Sequence, residues 1–272
     1  MRTSLLAPLA VVVWLASTSY VTSAEPIRLQ SGPAATQLLE LYSSEGCSSC
    51  PPAETWLSRL KTDPKLWKDF VPVAFHVDYW DYLGWKDPFA SKEHSDRQRD
   101  YAAQWRSDSV YTPGFVLNGK EWRGWSHRDA PAGGATKAIG VLTAVSEDGR
   151  QWKIEFQPVA ENTAAKYEFH AALLGFDLIT DVKAGENRGR KLQHDFVVLA
   201  ETKVPATKDG RSFQGTLSLN EKPAHSPKRL GLAAWVTSAG SLSPVQATGG
   251  WLPATPEKPG ANSGGRVEVG GK

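Results

Sequence analysis

Sulfur is scarce in this chain of 272 residues: it has two cysteines, Cys47 and Cys50, and a single methionine, Met1. Two cysteines exclude a multiply stapled mini-domain, which needs several bridges. They also exclude an all-cysteine zinc site, which takes four ligands, because no second pair exists. No methionine-rich or histidine-rich tract is present to signal a metal carrier. Excess charge is lacking as well. The formal net charge of +2 gives no electrostatic footprint for nucleic acid or another polyanion. Long apolar runs are absent. The longest, Leu5–Leu15, is too short to span a bilayer.

That short run has a positive flank at Arg2 and is followed by Val21-Thr22-Ser23-Ala24. Together they read as a signal peptide cleaved after Ala24. The expected location is periplasmic or secreted, where disulfides persist, with no stable membrane insertion after cleavage. What is abundant is tryptophan. Seven of the eleven indoles lie between Trp56 and Trp125, bringing large apolar area with a polar handle, either as a Trp-rich core or as an aromatic groove.

From Gln37 onward the pattern runs strand, cysteine turn, helix, strand. Leu38–Tyr42 reads as a strand and Pro51–Leu60 as a helix. The continuous apolar run Val71–Val77 reads as a buried strand. Asp87-Pro88 suits the start of a helix extending to about Trp105. Phe115–Leu117, then Asn118-Gly119, then Lys120–Trp125 is a hairpin signal. Asp129–Ile139 could form a closing helix. Beyond about Ala138 helical periodicity disappears. Val141–Val145 and Trp152–Phe156 alternate around Asp148-Gly149, and further strand-like runs occupy Tyr167–Leu174, Phe196–Leu199, Phe213–Leu219 and Leu230–Val236. The implied organisation is a signal peptide at 1–24, one domain at 25–140, an all-β sandwich-like domain carrying no catalysis at 141–252, and a disordered tail at 253–272.

Cys47-Ser48-Ser49-Cys50 between a strand and a helix carries the chemistry. Such a turn puts the first cysteine at a helix N-terminus, where free N–H groups and the macrodipole favour a thiolate. Pro51 and Pro52 fit a first turn that needs no backbone donors. Cys47 is then the exposed nucleophile and Cys50 the resolving thiol. Glu45, just upstream, opposes thiolate formation through its own negative charge. A purely structural bridge would close too short a loop to constrain much chain entropy. The strand–helix context therefore favours redox chemistry, which requires no cofactor.

Tyr111–Gly119, with Thr112-Pro113 before a strand and a hairpin turn, resembles the cis-proline segment of the thioredoxin superfamily. Longer stretches are closer still to one family. Glu40–Glu54 around the cysteines, His76–Phe89, Val110–Pro113, and Gly185-Glu186-Asn187 with Gly189-Arg190 resemble exported bacterial proteins catalogued as domain of unknown function 1223. The resemblance implies an α/β thioredoxin-like N-terminal domain ahead of the all-β domain. It also implies that Thr112 and Pro113 bind substrate beside the cysteines, with the residue before the proline offering backbone groups to an extended chain. It supplies no substrate.

Glu40, on the strand entering the motif, is a candidate proton acceptor for the buried thiol, or else a solvated strand residue. Glu54 is a weaker candidate. His76 either tunes Cys47 or is a hydrogen-bonded core histidine, and Asp78 and Asp81 cap the following turn. His170, His194 and His225 show no spacing that implies a joint site. The leading reading is thiol–disulfide exchange with protein or small-molecule thiols and disulfides. Two alternatives remain: copper handling by Cys47, Cys50 and His76, and a non-catalytic binding module that uses its β domain and tryptophans.

Overall fold

The computed structural model describes residues 25–127, 131, 137–159, 166–219 and 227–253. The segment 1–24 expected to be a signal peptide, the tail beyond Pro253 and most of the helix expected over Asp129–Ile139 lie outside the described residues. In chain order the first half holds β1 (Ile27–Gln30), β2 (Gln37–Ser43), helix α1 (Pro51–Arg59), β3 (Phe70–Val77), β4 (Ala90–Ser91), helix α2 (Lys92–Trp105), β5 (Gly114–Leu117) and β6 (Lys120–Glu121). The second half holds β7 (Gly140–Ser146), β8 (Gln151–Pro158), β9 (Tyr167–Phe176), β10 (Leu178–Asp181) and β11 (Lys191–His194). It continues with β12 (Val197–Pro205), β13 (Thr207–Asp209), β14 (Ser212–Ser218), β15 (Arg229–Ser238) and β16 (Pro244–Trp251).

Local chemistry explains several boundaries. Helix α1 begins on Pro51 and Pro52, which lack N–H groups at positions where no helical acceptor exists for them. Asn118 and Gly119 both have positive φ, 50° and 80°, the conformation a tight hairpin between β5 and β6 needs. Helix α2 starts later than Asp87-Pro88 suggests. Its N-cap is Ser91, whose hydroxyl accepts from the His94 N–H at 3.1 Å. Asp87 is instead drawn into the interior by His76 (2.7 Å).

The expected α/β thioredoxin-like domain followed by a sandwich-like domain is corrected by the sheet topology. Among the described residues strands make up 48% and helices 16%, so the described part is mostly β. One nine-stranded sheet runs β16-β15-β9-β12-β3-β2-β5-β6, with β4 beside β3. It therefore contains strands from both halves of the chain. The seam is at β3, which is buried along its whole length and must satisfy polar backbone on both edges. Strand β2 pairs with it in parallel on one side. On the other side β12 is parallel through Val197 and Ala74, and Ala74 donates to the carbonyl of Phe196 at 2.8 Å. A second, five-stranded sheet runs β1-β7-β8-β14-β13.

Burial follows this plan. Strands β7 and β8 alternate buried and exposed residues, as expected for a sheet with one wet face. Strands β9 and β15 are buried almost continuously, because helices or sheet cover both of their faces. One core joins Trp56, Phe75 and Tyr101 to Phe176, Phe196 and Trp235. A second lies between the two sheets and contains Trp152, Phe156, Phe169 and Leu232, and a small third joins Phe89, Leu178 and Val197. Among the described residues no helix is long and apolar enough to cross a membrane.

Candidate active site at the Cys47–Cys50 disulfide

The only two cysteines form a disulfide, with Cα atoms 5.5 Å apart. Strand β2 delivers the chain to the turn, and α1 begins immediately after Cys50, which serves as its N-cap. The amides of Ala53 and Glu54 donate to the Cys50 carbonyl at 2.9 and 3.1 Å. Ser48 and Ser49 are exposed, whereas both cysteines are fully buried. The expectation of an exposed Cys47 is thus corrected: neighbouring segments cover it. Gly46 permits one of these contacts. A Cβ there would lie 2.9 Å from the Cβ of Trp80.

The Thr112–Pro113 bond is cis, and the segment lies against the disulfide. The Thr112 carbonyl is 3.8 Å from Cys47 Sγ, and Ser49 Oγ is 3.3 Å from that sulfur. Two side chains hold the segment in place. Trp80 donates its indole N–H to Thr112 Oγ1 at 2.8 Å, and Gln98 of α2 donates to the Tyr111 carbonyl at 2.7 Å. Outside it is a cavity of about 440 Å³ lined by Ser49, Tyr111, Pro113, Phe115, Trp122 and Trp125. Part of the tryptophan cluster therefore faces this groove, while Trp56 packs edge-on against Phe115 in the core beneath.

The second half of the chain closes the site from the other side. Asn187 donates through Nδ2 to the carbonyls of Glu45 (2.8 Å) and Cys47 (2.9 Å). Arg190 donates to the Asn187 Oδ1 at 2.7 Å, which fixes the amide orientation. Glu186 accepts from the Ser48 amide at 2.9 Å. Gly185, at φ 72°, supplies the left-handed turn that presents these two side chains. Nothing in the spacing of the sequence shows this contact, since 138 or more residues separate the partners.

Beneath the cysteine loop lies a buried ionic cluster. His194, at the end of β11, pairs through Nε2 with Glu45 (3.0 Å) and through Nδ1 with Glu54. Ser43 donates to the other oxygen of Glu54, and Trp85 donates to Glu45 at 2.7 Å. Beside it His76 Nδ1 meets Asp87 at 2.7 Å, and Asp87 also accepts from the amides of Glu45 (2.8 Å) and Phe89 (2.9 Å). Burial opposes charge on His194, Glu54, His76 and Asp87, yet the pairing outweighs it. Burial alone would lower His194, but Glu54 and Glu45 hold it up to about 10. Burial would likewise raise Glu54, but His194 draws it down to about 2. His76 is raised and Asp87 lowered for the same reason, each by the other. The charge of Glu45 is thereby matched by an imidazolium, which reduces its opposition to a thiolate at Cys47.

Glu40 is placed elsewhere. Its carboxylate is buried among Arg97 (2.8 Å), Tyr101 (2.6 Å) and Tyr42 (2.9 Å), facing α2. Ser43, with the parity of Leu39 and Leu41, faces α1 and Glu54. Alternation along β2 therefore turns Glu40 to the opposite side of the sheet. The acids that flank the cysteines are Glu45 and Glu54. The Asp78 carboxylate does not cap the turn that follows but accepts from the Ser95 hydroxyl of α2, whereas Asp81 accepts from the Asp87 amide at 3.2 Å. His76 groups with Glu54 and His194, not with cysteine thiolates, which are consumed in the disulfide.

A family model described as "Protein of unknown function (DUF1223)" matches residues 38–237, including the cysteine turn, the Thr112–Pro113 segment and the Asn187 loop. This chain belongs to that family. No curated protein matches it. Two solved structures are similar in fold. One is an X-ray structure of a protein from Agrobacterium tumefaciens, 26% identical, with a TM-score of 0.57 over 83% of this chain and 97% of that one. The other is HBP35 of Porphyromonas gingivalis, 12% identical, with a TM-score of 0.53 over 83% of this chain and 81% of that one. Family membership thus fixes kinship without fixing an activity.

Proposed function

We propose that this protein is an exported thiol–disulfide oxidoreductase acting through Cys47 and Cys50. The observation that carries the reading is the disulfide at the start of α1 with the Thr112 carbonyl and Pro113 beside Cys47 and a groove outside them. In the reducing direction the Cys47 thiolate attacks a substrate disulfide sulfur, forming a mixed disulfide and releasing one thiolate, which takes up a proton. The Cys50 thiolate then attacks the Cys47 sulfur, closing the ring and releasing the second thiol. Two electrons pass from the dithiol to the substrate, and the oxidising direction is the reverse. The N-terminal segment Arg2–Ala24 supports export, and export supplies disulfide-containing partners. Because Ser49 is the exposed neighbour of two shielded sulfurs, exchange is confined to partners that seat against the Ser49–Pro113 surface.

The test uses Cys50→Ser, which keeps the attacking thiol and removes the resolving one. Incubated with oxidised glutathione, it is expected to retain one glutathione on Cys47, shown by intact mass and peptide mapping. The wild-type dithiol under the same conditions should close to its internal disulfide. A Cys50→Ser protein that stays folded and forms no adduct contradicts the proposal.

A further inference from the structure

The cluster under the cysteine loop contains a nitrogen that the ion pairs leave unused. His76 is 1% exposed, its Nδ1 is engaged by Asp87, and its Nε2 makes no hydrogen bond. A buried polar atom without a partner is costly and unusual. One ligand atom from each of Glu54, His76 and His194 lies within 4.8 Å of the others, and all three residues are buried.

We propose that Glu54, His76 and His194 form a binding site for a first-row divalent cation of the Zn²⁺ type. Two imidazoles and a carboxylate are a donor set that suits such ions. The support around each ligand points the same way. Asp87 accepts two backbone N–H groups besides facing His76, so it is held in place to accept from His76 Nδ1, and Nε2 is the ring nitrogen left to meet a cation. His194 turns Nε2 to Glu45 and Nδ1 to Glu54. Its outer nitrogen is thus also oriented by a carboxylate, and its inner one shares a proton with the third ligand. Ser43 holds the remaining oxygen of Glu54. Carboxylates behind both metal-facing histidines fix their tautomers, as is usual at metal centres. The cation takes the place of the proton between Glu54 and His194 and adds the bond that His76 Nε2 lacks. Bonds of about 2.0–2.1 Å set ligand atoms about 3.4 Å apart, so Glu54 and His194, now in direct hydrogen bond, would part to admit the ion. Neither cysteine is a ligand, so the ion can bind whether Cys47 and Cys50 are bridged or reduced, and the site does not rest on the activity proposed above.

The experiment uses the full oxidised protein, stripped with chelator and then given Zn²⁺ or Co²⁺. The expected result is one Zn²⁺ per chain by elemental analysis, with two imidazole ligands in the zinc X-ray absorption spectrum. The Co²⁺ form should show visible d–d bands without a thiolate charge-transfer band. Cys47→Ser/Cys50→Ser should bind equally well, Asp87→Asn should bind about 10–100-fold more weakly, and His76→Gln should lose the ion. Absence of stoichiometric metal in the wild type overturns the proposal, as does a thiolate band or undiminished binding by His76→Gln. The wild-type spectra decide the matter even if a variant fails to fold.

Discussion

Replacing Cys47 by serine is expected to reduce disulfide exchange to the uncatalysed rate, while Cys50→Ser still forms the first mixed disulfide and stalls there. Cys47 Sγ is the sulfur beside the Thr112 carbonyl and the exposed Ser49. Cys50 caps α1 and leads into the core. A hydroxyl is far less acidic than a thiol and does not form a disulfide, so the substituted side chain leaves no residual route. The helix N-terminus favours negative charge close to both sulfurs. His194, held charged between Glu45 and Glu54, keeps the nearest buried carboxylates from repelling it. The two variants are compared by following turnover of a small disulfide and by trapping with an alkylating reagent. Adducts found only through Cys50 would reverse the assignment of nucleophile and resolving thiol.

A chain ending at Gly140 is expected not to fold. It removes β9, β12, β15 and β16 from the nine-stranded sheet and leaves the buried edge of β3 without β12. It also takes Phe176, Phe196 and Trp235 out of the core that holds Phe75 and Tyr101. Full burial of a large apolar side chain contributes about 1.5–3 kcal/mol, so these three alone contribute roughly 5–9 kcal/mol. That is comparable with the whole stability of an ordinary domain, about 5–15 kcal/mol. The truncation loses Asn187 and His194 as well, stripping the cysteine loop of its clamp and Glu45 and Glu54 of their counter-charge. Circular dichroism and urea titration should show no cooperative transition. A cooperatively folded truncation that exchanges small disulfides would contradict the shared-sheet account.

The local part of this site is legible in the sequence because it is local. Strand β2, the cysteine turn and the proline-started helix lie within Gln37–Arg59, and each has its own turn or capping signal. The Thr112–Pro113 segment is legible through the hairpin that follows it. What closes the site is not, because Asn187 and His194 reach it from 140 or more residues away. The misplacement of Glu40 has a similar origin. Alternation along β2 separates two faces, but only the packing of α1 and α2 decides which face holds the cysteines. The expectation of an α/β half beside a separate sandwich runs against a signal that the sequence does carry. Val141–Val145 and Trp152–Phe156 alternate, whereas Phe169–Phe176 and Leu230–Val236 are nearly continuous in apolar residues. Such runs mark strands covered on both faces, and here they are central members of the large sheet. Strand β16 carries little signal, since Gly249 and Gly250 weaken its β pattern.

The central claim is that Cys47–Cys50 is a redox couple and not a permanent staple, and its reduction potential tests this most directly. The folded protein is equilibrated in glutathione buffers of graded poise, and the dithiol fraction is read by alkylation and mass. The account predicts a reversible two-electron transition above about −300 mV with the fold retained. Structural disulfides lie below about −300 mV, and a Cys47–Cys50 bond that stays oxidised beyond that point, or opens only as the protein unfolds, would contradict it.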